Sequence, residues 1–371
     1  RAASILGTLQ AGYTDFKFLS DTSKKIFDRE ALLGVSITGW MNNPEILFDE
    51  KILQKGAKIV KEVNKEVAAI LGINAAARTT CVKPSGNASV LLQTASGIHA
   101  EHSNMYIRNV QMNKESEITQ AIMKTNPYMV EDSVWSAGGT DVVVSFPILP
   151  KKGSMYKDDL LGVKHLELVK KAQKHWVEAG TNEDLCADKG VRHNVSNTII
   201  VDDWDAVEKY VFENRHSFAG ISFLGMTGDK DYNQAPNTAV ITAKDMVKKY
   251  GNAAVFASGM VVDALKCFNN LWDACSTAKG FGQDISLETS ENAMKRDWVR
   301  RFKKFADNYL NKDTMLAEYC LKDAYLLHKW NKIQSTLKTV DWKEDIKERK
   351  YTDVDTLAAA ACAGGACEID F

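Results

Sequence analysis

Two places in the sequence carry residue types that could do chemistry at a suggestive spacing. The first is Cys362 and Cys367, in "AACAGGACEIDF", separated by Ala-Gly-Gly-Ala. Glycines between them let the chain fold back until the two sulfurs meet. A disulfide there would close a very small loop and add little stability. Its use is then reversible oxidation or metal binding. Metal needs more ligands, and the only acids nearby are Glu368 and Asp370, a poor zinc set. A dithiol on an arm with no core of its own suits thiol–disulfide exchange.

The second place is "KPSGNAS", Lys83 to Ser89. Gly86 lets backbone approach a ligand closely, and Ser85 and Ser89 offer hydroxyls. A helix beginning near Ser89 would present free N–H groups to an anion such as a phosphate. The run is not a Walker A loop, which needs Gly, four residues, then Gly-Lys-Ser/Thr. On composition alone an ordinary turn is the better reading. "GIHAEHS" holds His99, Glu101 and His102, but two histidines without a third ligand at a recognised spacing favour a structural or pocket-lining role over a metal. Cys81, Cys186, Cys267, Cys275 and Cys320 stand isolated and are expected as small buried apolar side chains.

The elements that must position these residues follow from periodicity. "DEKILQKGAKIVKEVNKEVAAILGI" places Ile52, Leu53, Ile59, Val60, Val63, Val67, Ile70 and Leu71 at helical spacing, opposite lysines and glutamates. "ARTTCVKP" is a β-rich entry to the Pro/Gly/Ser loop. "TDVVVSFPI" reads as a buried strand closed by Pro147, and "DDLLGVKHLELVKKAQKHWVEAG" as an amphipathic helix stopped at Gly180. "NVSNTIIV" and "AGISFLG" are further strands, with the acid-led helix "DDWDAVEKYVFENR" between them. This alternation predicts parallel strands with crossover helices, an α/β fold in which a barrel fits as well as an open sheet. From about Val240 to Asp345 helical patterns take over, and from Lys350 apolar periodicity stops.

The chain has 371 residues, with 45% hydrophobic and 26% charged content and a formal net charge of −1. No global basic field points to nucleic acid or a membrane surface, and no apolar run approaches a membrane span. An odd number of scattered cysteines, seven, argues against a secreted disulfide framework and for a reducing cytoplasm. The chain opens on Arg1 and runs straight into a segment patterned for packing, so it is expected to be the C-terminal part of something longer.

Several stretches, taken in order, resemble the ribonucleotide reductases, most closely the adenosylcobalamin-dependent (class II) type. They are "GTLQAGYTDF", "REALLGVSITGW", "TTCVKPSGNASVLL", "GIHAEHSNMYIRNV", "VVVSFPI", "NVSNTIIV", "DKDYNQAP" and the terminal "CAGGAC". They span most of residues 1–240 and the tail; 241–349 resembles nothing nameable. The resemblance implies the later strands of a ten-stranded α/β barrel over 1–240, a helical extension over 241–349, and a flexible redox-active tail over 350–371. It implies thiyl-radical reduction of a ribonucleoside di- or triphosphate, with adenosylcobalamin as cofactor. It places the substrate phosphate at Pro84, Ser85, Gly86, Asn87, Ala88 and Ser89. It makes Cys362 and Cys367 the shuttle that reduces the active-site disulfide and is itself reduced by a thioredoxin-like protein.

What the sequence lacks narrows this further. The family's radical cysteine sits in Asn-Pro-Cys-Gly-Glu; here Asn43-Pro44 and Asn126-Pro127 are followed by Glu45 and Tyr128. The chain is therefore expected to need a missing N-terminal half as partner and to be inactive alone. No Tyr-Tyr pair accompanies Phe223, as class I would require, and class III has no such cysteine tail. A non-catalytic nucleotide-binding module, or a stand-alone thiol–disulfide relay, is the alternative.

Overall fold

The computed structural model describes residues 1–226, 232–280 and 290–345. The chain begins with α1 (Ala2–Ala11), α2 (Asp21–Glu30), β1 (Val35–Ser36), α3 (Pro44–Leu47), α4 (Glu50–Leu71), β2 (Thr80–Cys81) and α5 (Gly86–Leu91). Next come β3 (Tyr106–Asn113), α6 (Glu117–Thr125), β4 (Val130–Asp132), β5 (Asp141–Ile148) and α7 (Gly162–Ala172), which runs on as a π-helical turn over Gln173–Glu178. Then follow β6 (Thr198–Val201), α8 (Trp204–Glu213), β7 (Ser222–Gly225) and β8 (Asn237–Ala239). The helices α9 (Ala243–Tyr250), α10 (Ala253–Ala264), α11 (Leu271–Lys279), α12 (Ser290–Tyr309), α13 (Thr314–Thr336) and α14 (Trp342–Asp345) complete the described residues.

These divide into two units: residues 1–104 with 150–226, and residues 105–149 with those from Tyr232 onward. In the first, the helical period read over 49–73 becomes α4. Asp49 caps it by accepting from Ile52 N–H, and Gly72 ends it at φ +70°, where glycine pays no Cβ penalty. Its apolar stripe, Leu53, Ala57 and Val60, meets Leu166, Val169 and Trp176 of α7 and the π turn in one core. Val82, Val195, Ile199 and Val201 supply the strand side of that core.

The strands of this unit are parallel. β1 pairs with β2 (Val35 with Thr80), Val82 bridges to Val195, and β6 pairs with β7 (Thr198 with Ser222). The helices α4, α7 and α8 make the successive crossovers, of which β6–α8–β7 is the one the alternating pattern predicts. β2 is pinned from behind. Thr80 Oγ1 donates to the Trp176 carbonyl at 2.7 Å, Thr79 Oγ1 to that of Gly180 at 2.8 Å, and Trp176 Nε1 to that of Cys81 at 2.9 Å. A Cβ on Gly180 would stand 1.9 Å from Thr80 Oγ1, so the helix stop read at Gly180 is also a point of close approach to β2.

"TDVVVSFPI" departs from the expected parallel series. As β5 it is antiparallel to β3, from Tyr106 opposite Ile148 to Asn113 opposite Asp141, in a four-stranded sheet ordered β4-β5-β3-β8 in the second unit. A short apolar run says that a strand is buried but not which way its neighbour runs. Met112, Val130, Val142, Val144 and Phe146 pack with Ile122, Met129 and Ile333. The rest of this unit is helical, as expected from Val240 onward. Its larger core gathers Trp298, Phe302, Leu271, Leu321 and Tyr250 from α9–α13. The contacts do not divide the chain at residue 240, because 105–149 joins the helices. The described residues thus form an α/β fold with a parallel series β1, β2, β6, β7 and a separate antiparallel sheet.

Candidate functional site

The "KPSGNAS" run leaves the C-terminal end of β2, the end at which parallel α/β sheets gather their ligand-binding loops. The helix begins at Gly86, earlier than read from sequence, with Ser85 as its N-cap. Ser85 Oγ accepts the Ser89 N–H at 3.2 Å. The Ser89 hydroxyl is buried and turns inward to donate to the Ser85 carbonyl. Of the N–H groups in the first turn, those of Gly86, Asn87 and Ala88 have no partner within the helix, and all three residues are exposed. A Cβ built on Gly86 meets nothing within 4 Å. Pro84 and Lys83 are exposed beside it.

The loop is held from several sides. Ser96 Oγ accepts the Ser85 N–H at 2.8 Å, and Ser36 Oγ, at the end of β1, accepts that of Lys83 at 3.0 Å. Lys83 Nζ donates to Ser196 Oγ at 2.7 Å, just before β6. Gly97, at φ +54°, lies so close that a Cβ there would stand 2.9 Å from the Lys83 carbonyl oxygen. Behind it, buried Asn42 spends all its polar capacity. Its Oδ1 accepts from Ala95 N–H and Thr94 Oγ1, at 2.6 and 2.5 Å, and its Nδ2 donates to Glu101 and Ser154, at 2.7 and 3.0 Å.

His99 ties this support to the sheet. Its Nδ1 bonds the Ser96 carbonyl at 3.1 Å and its Nε2 accepts the Thr198 N–H at 3.1 Å, which fixes the Nδ1–H tautomer. Burial holds its pKa below the usual histidine range. His165, 3% exposed, donates Nε2–H to the Ile98 carbonyl at 3.0 Å, and burial pushes its pKa down to about 4. With both ring nitrogens engaged, His99 is a strut, and the described residues contain no group of three or more His, Cys, Asp or Glu placed to hold a metal. Cys81, Cys186, Cys267, Cys275 and Cys320 are all buried free thiols. Burial raises the Cys81 pKa, with Lys83 pulling it the other way.

The structure therefore gathers Pro84 to Ala88 around one exposed set of N–H donors and turns Ser89 inward. Cys362 and Cys367 lie outside the described residues. The struts Asn42, Ser96 and His99 were not read from sequence as supports of this loop. The signal for Ser96 and His99 was the run "TASGIHAEH" shortly after it, with Gly97 as the point of close packing; nothing around Asn42 in "GWMNNPE" marked it.

No family model matches the chain. Over 123 residues it is 30% identical to a probable adenosylcobalamin-dependent ribonucleoside-triphosphate reductase of Dictyostelium discoideum, covering 33% of this chain and 16% of that protein. Over 159 residues it is 24% identical to an adenosylcobalamin-dependent ribonucleoside-triphosphate reductase of Euglena gracilis, covering 42% of this chain and 22% of that one. The chain is similar to a portion of the adenosylcobalamin-dependent ribonucleotide reductases. A solved B12-dependent (class II) ribonucleotide reductase matches with TM-score 0.52 at 17% identity, over 65% of this chain and 36% of that one, a likeness of fold. The chain thus spans 16% and 22% of the two curated reductases it matches. Of the reductase-like stretches, "TTCVKPSGNASVLL" and "NVSNTIIV" meet at the Val82–Val195 bridge, beside the loop. "CAGGAC" falls outside the described residues.

Proposed function

We propose that this chain works as a portion of an adenosylcobalamin-dependent ribonucleotide reductase, converting ribonucleoside di- or triphosphates to deoxyribonucleotides by thiyl-radical chemistry. Its own contribution is to bind and regenerate. The observation that carries this reading is the loop at the end of β2, where exposed Gly86, Asn87 and Ala88 open a helix, their N–H groups without a partner in it, on a braced backbone. Donors of that kind hold a phosphate without reorganising. Bracing by Ser96, Gly97 and His99 fixes the phosphate, and with it the ribose, relative to the strands. Lys83, the loop's one titratable side chain, is held on Ser196 Oγ, so the loop positions substrate and leaves the chemistry to other groups.

Adenosylcobalamin is the cofactor this reading calls for, and the trough in the first unit does not suit it. One cavity of the first unit, about 560 Å³, is an open trough lined by Leu6, Gln10, Tyr13, Phe27 and Leu33. It has no imidazole and few partners for the amide-bearing rim of a corrin. The radical cysteine, for which no Asn-Pro-Cys-Gly-Glu run stands in these residues, is placed on a further portion of the reductase. Cys362 and Cys367 act as the shuttle, carrying electrons from a thioredoxin-like reductant to the active-site disulfide.

The test is complementation. The purified chain, given adenosylcobalamin, ribonucleotides and dithiothreitol, is expected to form no deoxynucleotide, and to gain turnover when an N-terminal reductase half bearing the Asn-Pro-Cys-Gly-Glu loop is added. Turnover by the chain alone would refute the fragment reading. Nucleotide binding that never leads to turnover with any such half would leave only a binding module.

A further inference from the structure

The second unit carries a groove of about 310 Å³ between α10 and α12. Phe256, Met260, Phe305 and Tyr309 make it apolar along one side, and the Phe256 and Tyr309 rings stack at 4.6 Å. Phe256 is 48% and Tyr309 39% exposed, so this stack stands at the surface. Arg301 and Lys304, about one turn apart on α12, line it with positive charge. Gly259 opens the groove. A glycine within a helix weakens it relative to alanine, yet a Cβ built here meets nothing within 4 Å.

The charge of this surface is one-sided. From Met294 to Tyr309, α12 carries six cations and two acids. Trp298, Phe302 and Phe305 sink its apolar face into the core, which leaves the charge on the outer one. Asp263 holds Arg301 at 2.7 Å and Lys266 at 2.8 Å, and Asp297 holds Arg301 at 3.1 Å. Arg300, Lys303 and Lys304 are exposed, and among the described residues none of them has an acidic partner.

The chain itself supplies a segment of the complementary pattern. Residues 346–371 lie outside the described residues and contain Glu368-Ile369-Asp370-Phe371. In an extended segment successive side chains face opposite ways, which sets Glu368 and Asp370 on one side and Ile369 and Phe371 on the other. Acids two residues apart then stand about 7 Å apart, close to the roughly 5–6 Å between side chains three apart on a helix. The chain from Asp345 to Glu368 reaches at most about 80 Å when extended, more than the roughly 40 Å breadth of a compact unit of this length. We propose that Glu368 to Phe371 dock in the α10–α12 groove of their own chain. Asp370 meets Lys304, Glu368 lies by Arg301, and Phe371 packs on the Phe256–Tyr309 stack, which parks Cys362 and Cys367 on the helical unit. The docking stands whether or not these cysteines carry electrons; where they do, the groove is their resting place between exchanges.

Disulfide trapping in the full chain tests it and reads docking without turnover. Cys362→Ser leaves Cys367 as the tail's single thiol, the other five cysteines being buried. Asp297→Cys adds a thiol one turn before Arg301 on the same face of α12. Under diamide, Cys367 should link to it within one chain, about tenfold faster than to a thiol added by Glu115→Cys at an exposed site of the same unit. Asp370→Lys and Lys304→Glu should each slow the link about threefold or more, and the two together should restore it to within about twofold. Gly259→Phe should fill the groove and slow the link about tenfold, with the melting temperature kept because open space receives the ring. The proposal is overturned by linkage at the Glu115→Cys rate, which would leave the groove to another occupant. It is overturned equally by linkage only between chains, which would seat a second copy's tail there, or by a rate indifferent to both Lys304→Glu and Gly259→Phe.

Discussion

Ser85 is spent on its own helix, and this changes what its substitution should do. Its Oγ caps Ser89 N–H, so Ser85→Ala should cost about 1 kcal/mol of stability as well as weakening the loop's hold on phosphate. Gly86→Val isolates the ligand. Because nothing lies within 4 Å of a Cβ there, the fold should keep its melting temperature while the substrate KM rises in a complemented enzyme. An unchanged KM would return the loop to an ordinary turn. The histidines give a pH signature. His165 is held neutral with a pKa of about 4 against an ordinary value near 6.5. The unfolded chain therefore binds more protons in between, and stability falls as pH drops. Its share is intact above about pH 6.5 and is lost progressively toward pH 4, about 3 kcal/mol in all. His165→Gln, which can still donate to Ile98, should flatten that part of a urea-midpoint profile against pH; an unaltered slope would assign it to other groups.

At the level of elements, the π turn after α7 and the strand β2 form one construction. Three side-chain hydrogen bonds and the bare Cα of Gly180 bring Gln173–Glu178 against Thr79, Thr80 and Cys81, immediately before the loop. Gly180→Ala should therefore destabilise by about 1–3 kcal/mol, the range for overpacking a filled site, and a denaturant titration reads this directly. The helix α1 is turned against its composition. It buries Ser4 and Thr8, with Ser4 Oγ donating to the Val60 carbonyl at 2.9 Å and Asn64 donating to Thr8 at 3.0 Å. Its Leu6 and Leu9 are exposed. This inversion was not legible in "AASILGTLQA", because an apolar helix shows no periodic contrast from which a buried face can be chosen.

For the whole molecule, exposed apolar side chains on α1 and strand edges at β1 and β7 with one partner each predict self-association of the isolated chain. Leu6→Lys with Leu9→Lys should lower light scattering and raise the soluble yield; no change would place the association elsewhere. The tail prediction also needs a complete enzyme. If Cys362 and Cys367 are a shuttle, Cys362→Ser or Cys367→Ser should abolish sustained thioredoxin-driven turnover. The same variants should keep one pre-reduced turnover and much of the dithiothreitol-driven rate, because a small dithiol diffuses where a protein reductant does not fit. Equal loss with both reductants would rule out the shuttle. Exchange needs thiolate, so the thioredoxin-driven rate should climb with pH toward a free-thiol pKa near ~8.5.

The sequence by itself determined whatever is local. The period of α4, the β6–α8–β7 crossover, the Pro/Gly/Ser loop after β2 and the reductase resemblance were all legible, because each is written in consecutive residues. Tertiary structure decided whatever depends on a partner far along the chain. β5 took an antiparallel neighbour because a buried run does not encode direction. The segment 105–149 joined the helices because its apolar face met Ile333. Ser89 turned inward because the helix began at Gly86. His99 became a strut because Ser96 and Thr198, 99 residues from it on one side, each offered one ring nitrogen a backbone partner. Side-chain types name the chemistry that is possible, and the long-range pairing of backbone polar groups selects which of it the fold leaves available.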